Sequence, residues 1–248
     1  MARRLIRLSG TLMVVAGSLV LVWALLVWRW QDPFTALYTS WQQHDLAREY
    51  EQSVRRFDDQ GLARVADKTA SPLEIAAQAR KYRLGLGEGD PIGRLKIPRL
   101  DLNMIVVNGT KSSTLKKGPA RHLRTFLPGE GKLIYIAGHR TTYSAPFSDI
   151  DKLQRGDRVR IELPYATVDY TIRGHRIVEA HELSVLRSRG REELALQACW
   201  PRFFASHRYI AYARPVRVIP RRGRAYEYLG NELSAARLAQ HQVVHGRS

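Results

Sequence analysis

Residues 194–219 read LALQACWPRFFASHRYIAYARPVRVI. RYIAYARPVRVI is rich in the residue types that favour strands, LALQAC reads as a short strand before it, and WPRFFASH between them has the character of a loop. Two strands joined by that loop would lie side by side. Cys199, at the end of the first, and Arg208, at the start of the second, would then share one end of the pair.

The segments upstream have the same texture. GRLKIP (93–98), MIVVNG (104–109) and KLIYIAG (132–138) read as successive strands. RVRIEL (158–163) and TVDYTIRGHRIV (167–178) flank Pro164-Tyr165-Ala166 and read as a long hairpin. Turn signals recur between the runs and no long helical pattern interrupts them. This spacing predicts an all-β domain of about eight strands over 91–219, a barrel or a sandwich.

Residues 31–90 are polar and helical in pattern. Leu46, Tyr50, Val54 and Phe57 form an amphipathic stripe. Ser71-Pro72-Leu73-Glu74 is a helix start, with a capping serine, a proline in the first turn and a glutamate reaching back. This segment is expected to be a helical stalk that holds the β-domain off a membrane. The tail, 220–248, is rich in arginine and then weakly helical in pattern from Glu227 to Val243.

A membrane is expected because Leu8 to Trp28 contains no charged residue. As a helix that stretch rises about 32 Å, against a hydrocarbon core of about 30 Å. Arg3, Arg4 and Arg7 precede it, and Trp23, Trp28 and Trp30 stand toward its far end. Residues 1–30 therefore read as an uncleaved signal anchor, with the N-terminus in the cytoplasm and the remainder outside. The formal net charge is +17. A basic chain is drawn to polyanions, and export favours lipid surface or wall polymer over nucleic acid.

The chain has one cysteine, Cys199. An exported thiol with no cysteine partner is either a small buried apolar residue or a nucleophile. KLIYIAGHRTTYSAPF supplies a candidate partner. The strand ends at Ala137-Gly138, where glycine is expected to let the backbone turn sharply and present His139 at the strand end. An imidazole there could stabilise a thiolate or carry a proton to a leaving amine. Arg208 could stabilise an oxyanion, although Arg202, Arg214 and Arg217 compete for that role on composition alone.

In order and setting these runs resemble the sortase family, the membrane-anchored cysteine transpeptidases found mainly in Gram-positive bacteria. AGHRTTYSAPFSDIDKLQRGDRV (137–159) is similar to the A-G-H-R-T-T-Y-G-x-P-F run and following L-x-x-G-D of class E housekeeping sortases. IGRLKIPRLDLNMIVVNGT (92–110) resembles the first two barrel strands of the family. KKGPARHLRTFLPGEGKL (116–133) resembles its G-P-x-H…P-G-x-x-G-N link. A-L-Q-A-C, with Arg208 in the next strand, resembles T-L-x-T-C…R.

The resemblance implies a closed β-barrel in which Cys199 is the nucleophile, His139 the general acid or base and Arg208 the stabiliser of the transition state. It implies cleavage of the Thr–Gly bond in an L-P-x-T-G or L-A-x-T-G sorting signal near the C-terminus of an exported protein. A Cys thioester forms and is resolved by the amine of a lipid-linked peptidoglycan precursor. No metal or organic cofactor is implied. Ala198 stands where the family usually has threonine, which bears on substrate fit. Trp200 would shape or shield the site, Tyr143 would line the cleft, and His122 would lie on its substrate side. Two other readings of the residues stand beside this one. The first is an anchored β-module that binds anionic wall polymers without catalysis. The second is another exported Cys-dependent peptidoglycan transpeptidase. L,D-transpeptidases, however, carry His and Cys within one short run, and here they are 60 positions apart, 139 to 199.

Overall fold

The structure is a computed structural model describing residues 2–29, 33–59 and 71–228. Trp30 and the tail from residue 229 onward, which includes most of the weakly helical stretch, lie outside the described residues. Helix α1 (Ala2–Arg29) is followed by α2 (Pro33–Asp59) and α3 (Pro72–Leu84). The strands are β1 (Pro91–Ile97), β2 (Leu102–Asn108), β3 (Ala120–Arg121), β4 (Leu133–Ala137), β5 (Arg158–Glu162), β6 (Ala166–Glu179), β7 (Glu193–Trp200), β8 (His207–Pro220) and β9 (Tyr226–Glu227). One turn of helix, α4 (Ser112–Leu115), lies between β2 and β3.

The strands run in the order β6-β5-β1-β2-β3-β4-β7-β8-β9, and a ladder between β6 and β8 closes the first eight into a barrel. That ladder extends from Ala166 opposite Pro220 to Glu179 opposite His207. Closure pairs the first half of β6 on both sides, with β5 and β8, while the stretch beyond Ile172 is held by β8. The β2–β3 and β4–β7 pairs are parallel and the other strand pairs antiparallel. Inside the barrel, Leu95, Ile97, Ile134, Ile136, Tyr165, Tyr170, Leu194 and Leu196 form one core. Within the tail, β9 adds to β8 as an edge strand, with Tyr226 opposite Val218.

Strand β3 has only two residues, too few to show as a run in the sequence. Its pairing reaches only Val107 and Asn108 of β2. The backbone of Ile105 is met instead by a side chain from α2. The Gln43 amide donates to Ile105 O (3.0 Å), and Gln43 Oε1 accepts from Ile105 N (2.6 Å). Gln43 Nε2 also donates to Lys117 O (2.8 Å). A buried strand edge needs such partners. The apolar stripe of α2 does the rest of the docking. Leu46 and Tyr50 are buried against Ile105, Val107 and Ala120, Val54 packs beside them, and Phe57 reaches the barrel core. The segment expected to be a stalk thus lies along the barrel, because its stripe has a matching apolar surface there. Helix α3 begins as expected, with Ser71 and Glu74 forming a reciprocal capping box.

Helix α1 is long and apolar enough to cross a membrane, with a mean hydropathy of 2.1 over Ile6–Leu25. Its apolar side chains, such as Leu12, Val14, Leu19 and Val22, are exposed and do not pack on the barrel.

At the end of β7 remote from Cys199, Glu192 is buried. It accepts hydrogen bonds from the Tyr170 hydroxyl (2.7 Å), Gly129 N (2.9 Å) and Gly131 N (3.0 Å). Burial pushes its carboxyl up from 4.5 to about 7, against the pull of these three donors. Below about pH 4.5 the group is protonated whether the chain is folded or unfolded. Between that and about 7 only the unfolded chain releases the proton, so stability falls as pH rises. Glu192→Gln keeps one acceptor oxygen for the two amides and is expected to flatten this part of the stability profile. Urea denaturation midpoints between pH 4.5 and 8 measure it; a profile parallel to wild type would show that Glu192 carries no such linkage.

Candidate active site

Alternation along β7 sorts its side chains onto two faces. Leu194, Leu196 and Ala198 belong to the barrel core, and Trp200 packs against it. Ala195 lies on the other face, clustered with Leu133, Tyr135, Val178 and Ile210 beneath Val185 and Leu186 of the β6–β7 connection. Cys199 shares the parity of Ala195 and is half-buried. The candidate site therefore opens on the outer surface of the barrel, floored by β4, β7 and β8.

The register chooses among the arginines. Cys199 lies directly opposite Arg208 across the β7–β8 ladder. Among the described residues, the hydrogen bonds of Arg208 run through Nη1 alone, to Ala205 O (2.7 Å) and His207 O (2.9 Å). The other arginines are placed elsewhere. Arg202 binds Ser148 O and Asp149, Arg214 pairs with Glu193, and Arg217 stands opposite Asp169.

His139 reaches the site through β4. That strand runs parallel to β7, with Ala137 opposite Gln197, and the next rung is Gly138 N to Gln197 O (2.9 Å). His139 follows at once. Gly138 is not among the residues with positive φ, so the sharp turn expected there is not what requires a glycine. The requirement is close approach. A Cβ at this position would come within 2.6 Å of the buried Phe147 ring and 3.1 Å of Pro146.

The imidazole of His139 is half-buried, with its ring centroid 5.2 Å from that of Tyr143. Its Nε2 is buried and has no hydrogen-bond partner among the described residues. Burial lowers its pKa, and the positive charge of Lys116 lowers it further. Both effects favour the neutral ring, which can take up a proton.

Tyr143, Ser144 and Ala145 have φ values of 53°, 59° and 36°. Three consecutive non-glycine residues in the left-handed region cost energy and need support. Helix α2 supplies it. Tyr143 N donates to Thr35 Oγ1 (2.9 Å), and Ser144 Oγ donates to Ala36 O (3.3 Å). The Tyr143 ring meets Tyr38 edge-on, and Lys116 Nζ lies 5.5 Å from its centroid.

Ala198 points into the core, on the face of β7 opposite the thiol, so its influence on substrate would be indirect. Trp200 is at the barrel mouth, 5.6 Å from Tyr209 and beneath the Arg140 guanidinium. His122 packs edge-on against Tyr135 of the outer face, with Nδ1 held by Arg124 N. Burial, then Arg124 and Arg121, lower its pKa. Sequence reasoning did not find Lys116, Thr35 or Arg140 as members of this region. Only Arg140 carried a signal, as part of the AGHRTTY run. Among the described residues no group of three or more His, Cys, Asp or Glu side chains gathers as a metal ion would need. Two cavities, of about 590 and 510 Å³, lie along the C-terminal half of α2 and are not lined by Cys199, His139 or Arg208.

Removing the Lys116 charge should let the imidazole hold its proton more readily. In Lys116→Gln the pKa of His139, followed by NMR titration of labelled histidine, is expected to rise toward its ordinary value without reaching it, because burial is the larger cause. An unchanged or lower value would show that Lys116 does not act on the ring.

Comparison with known proteins bears on the family and the fold. Residues 95–216 match the family model of the Sortase domain. Sortase D of Bacillus subtilis is 32% identical over 132 residues, which is 52% of this chain and 65% of that protein. The chain thus spans slightly less than two thirds of that relative. Among solved structures, the Sortase D5 transpeptidase of Clostridium perfringens superposes with a TM-score of 0.51 at 25% identity, covering 56% of this chain and 88% of that one. Sortase E1 of Streptomyces coelicolor, solved with a tripeptide in its active site, gives a TM-score of 0.50 at 27% identity, covering 54% of this chain and 92% of that one. Residues 95–216 thus carry a Sortase domain, and the chain is similar to the sortases in sequence and in fold.

Proposed function

We propose that this chain is a membrane-anchored sortase whose reacting groups are Cys199, His139 and Arg208. The observation that carries the reading is the register. Cys199 and Arg208 face each other across β7 and β8, and His139 follows the last β4–β7 rung on the neighbouring strand.

The Cys199 thiol gives its proton to the neutral His139 ring as its sulfur attacks the threonine carbonyl carbon of the Thr–Gly bond in a sorting signal. Negative charge moves to the carbonyl oxygen, where the Arg208 guanidinium donates hydrogen bonds to it. As the C–N bond breaks, the glycine nitrogen takes a proton delivered by His139, and the acyl group remains on sulfur as a thioester. An incoming amine attacks the thioester, His139 accepts its proton, and a new amide forms as the thiol is released. The substrate class follows the L-A-x-T-G or L-P-x-T-G type, and the amine comes from a lipid-linked wall precursor. Arg3, Arg4 and Arg7, ahead of the uncharged stretch Leu8 to Trp28, favour a cytoplasmic N-terminus and an extracytoplasmic barrel. Tyr143 and His122 border the cleft on the substrate side, and Ala198 and Trp200 shape it from the core.

The test uses the full chain in detergent with fluorogenic L-A-x-T-G and L-P-x-T-G peptides. Cys199→Ala is expected to abolish cleavage. His139→Ala and Arg208→Ala should each lower kcat/KM by about 10²-fold or more. A thioester adduct at residue 199 should be detectable by mass spectrometry. If neither peptide suffers Cys199-dependent cleavage, the proposal fails.

A further inference from the structure

We propose that Arg140 is a positioning residue whose guanidinium ties the Cys199 carbonyl to the loop that carries His139. This rests on the reading of Cys199 and His139 as the reacting pair.

The backbone ladder between β4 and β7 gives its last rung at Gly138 N and Gln197 O. In a parallel ladder the next rung from the β4 side would run from residue 140 to the carbonyl of residue 199. The Arg140 side chain makes that connection, with Nη1 donating to Cys199 O at 3.3 Å. It prolongs the tie between the two strands beyond the point where β4 has ended.

The same planar group holds the loop closed. Nε donates to Ser148 O (3.3 Å), and Nη2 pairs with Asp151 Oδ1 (2.8 Å). Phe147 N to His139 O (3.1 Å) closes the loop from within. One face of the guanidinium lies 4.4 Å from the Trp200 ring centroid. Its contacts therefore fall on two short segments: 199–200, which presents the sulfur, and 148–151, which returns from the histidine loop. The Arg140 side chain is 3% exposed and that of Asp151 37%. A buried charge persists where it is paired and its donors are used, as here.

Lysine cannot reproduce this arrangement. An ammonium could keep the pair with Asp151, but it lacks the fork that meets two carbonyls and a carboxylate in one plane, and the flat face for Trp200. Arg140 does not itself touch the thiol. Its effect is on where the thiol stands relative to the imidazole, and a shift of about 1 Å in such a pair can cost on the order of 10²-fold in rate.

The experiment compares wild type, Arg140→Lys and Arg140→Gln as full chains in detergent. Three quantities are read: the melting temperature, kcat and KM with a sorting-signal peptide, and the rate of alkylation by iodoacetamide. Cys199 is the only thiol in the chain, so alkylation reports its setting without involving the peptide groove. Arg140→Lys is expected to melt within a few degrees of wild type and keep KM within about twofold, with kcat lowered about 10- to 100-fold. Alkylation should slow at least threefold, and Arg140→Gln should lose more. The proposal is overturned if a folded variant alkylates at the wild-type rate or faster, if its kcat is unchanged, if the loss is confined to KM, or if neither variant folds. A wild type that cleaves no sorting peptide would sink the proposed function, and the alkylation ratios would still decide the role of Arg140.

Discussion

The β6–β8 ladder is the constraint on which the rest of the molecule depends. It joins two fourteen-residue strands over nearly their whole length. Because β8 also pairs with β7, closing the barrel fixes β7 from one side while β4 holds it from the other. A slip of one residue along β8 would turn every side chain of that strand to the opposite face. Tyr209 and Ala211 would leave the core, and Arg208 would leave the face it shares with Cys199. The placement of Arg208 therefore follows from the apolar pattern of the barrel wall.

Around the barrel and the candidate site, polar groups take over where the strand ladders leave backbone unpaired. Gln43 meets the uncovered backbone of β2, Thr35 and Ala36 support the left-handed stretch at Tyr143, and Arg140 continues the β4–β7 tie. These are polar bonds to backbone carbonyls and amides, each modest in net worth and costly to leave unmade where buried. The site can be held in shape this way while its floor stays open.

Much of this was legible in the sequence. The strand runs, the Pro164 hairpin, the capped helix at Ser71 and the apolar stripe from Leu46 to Phe57 all carry local periodicity, which survives folding because each run pairs or packs as a unit. The parts that were not legible depend on chain segments meeting at a distance. Strand β3 is too short to show a period. The stripe on α2 announced an apolar face but not whether the helix would lie on its own barrel. Glycine at 138 suggested a turn, whereas its reason is the Phe147 ring, which arrives from the far end of the loop. Arg140 was one arginine among many until the loop folded back to bring Ser148 and Asp151 to it.

The contact between Thr35 and Tyr143 has a geometrical consequence. Helix α1 ends at Arg29, and six residues of chain from there to Thr35 can span only about 20 Å even when fully extended. If α1 crosses a bilayer, the loop beside His139 is leashed to within that reach of its surface. The chemistry at Cys199 would then be confined to a thin layer of space against the membrane. Any molecule held at that height would meet the cleft far more often than one free in bulk solution.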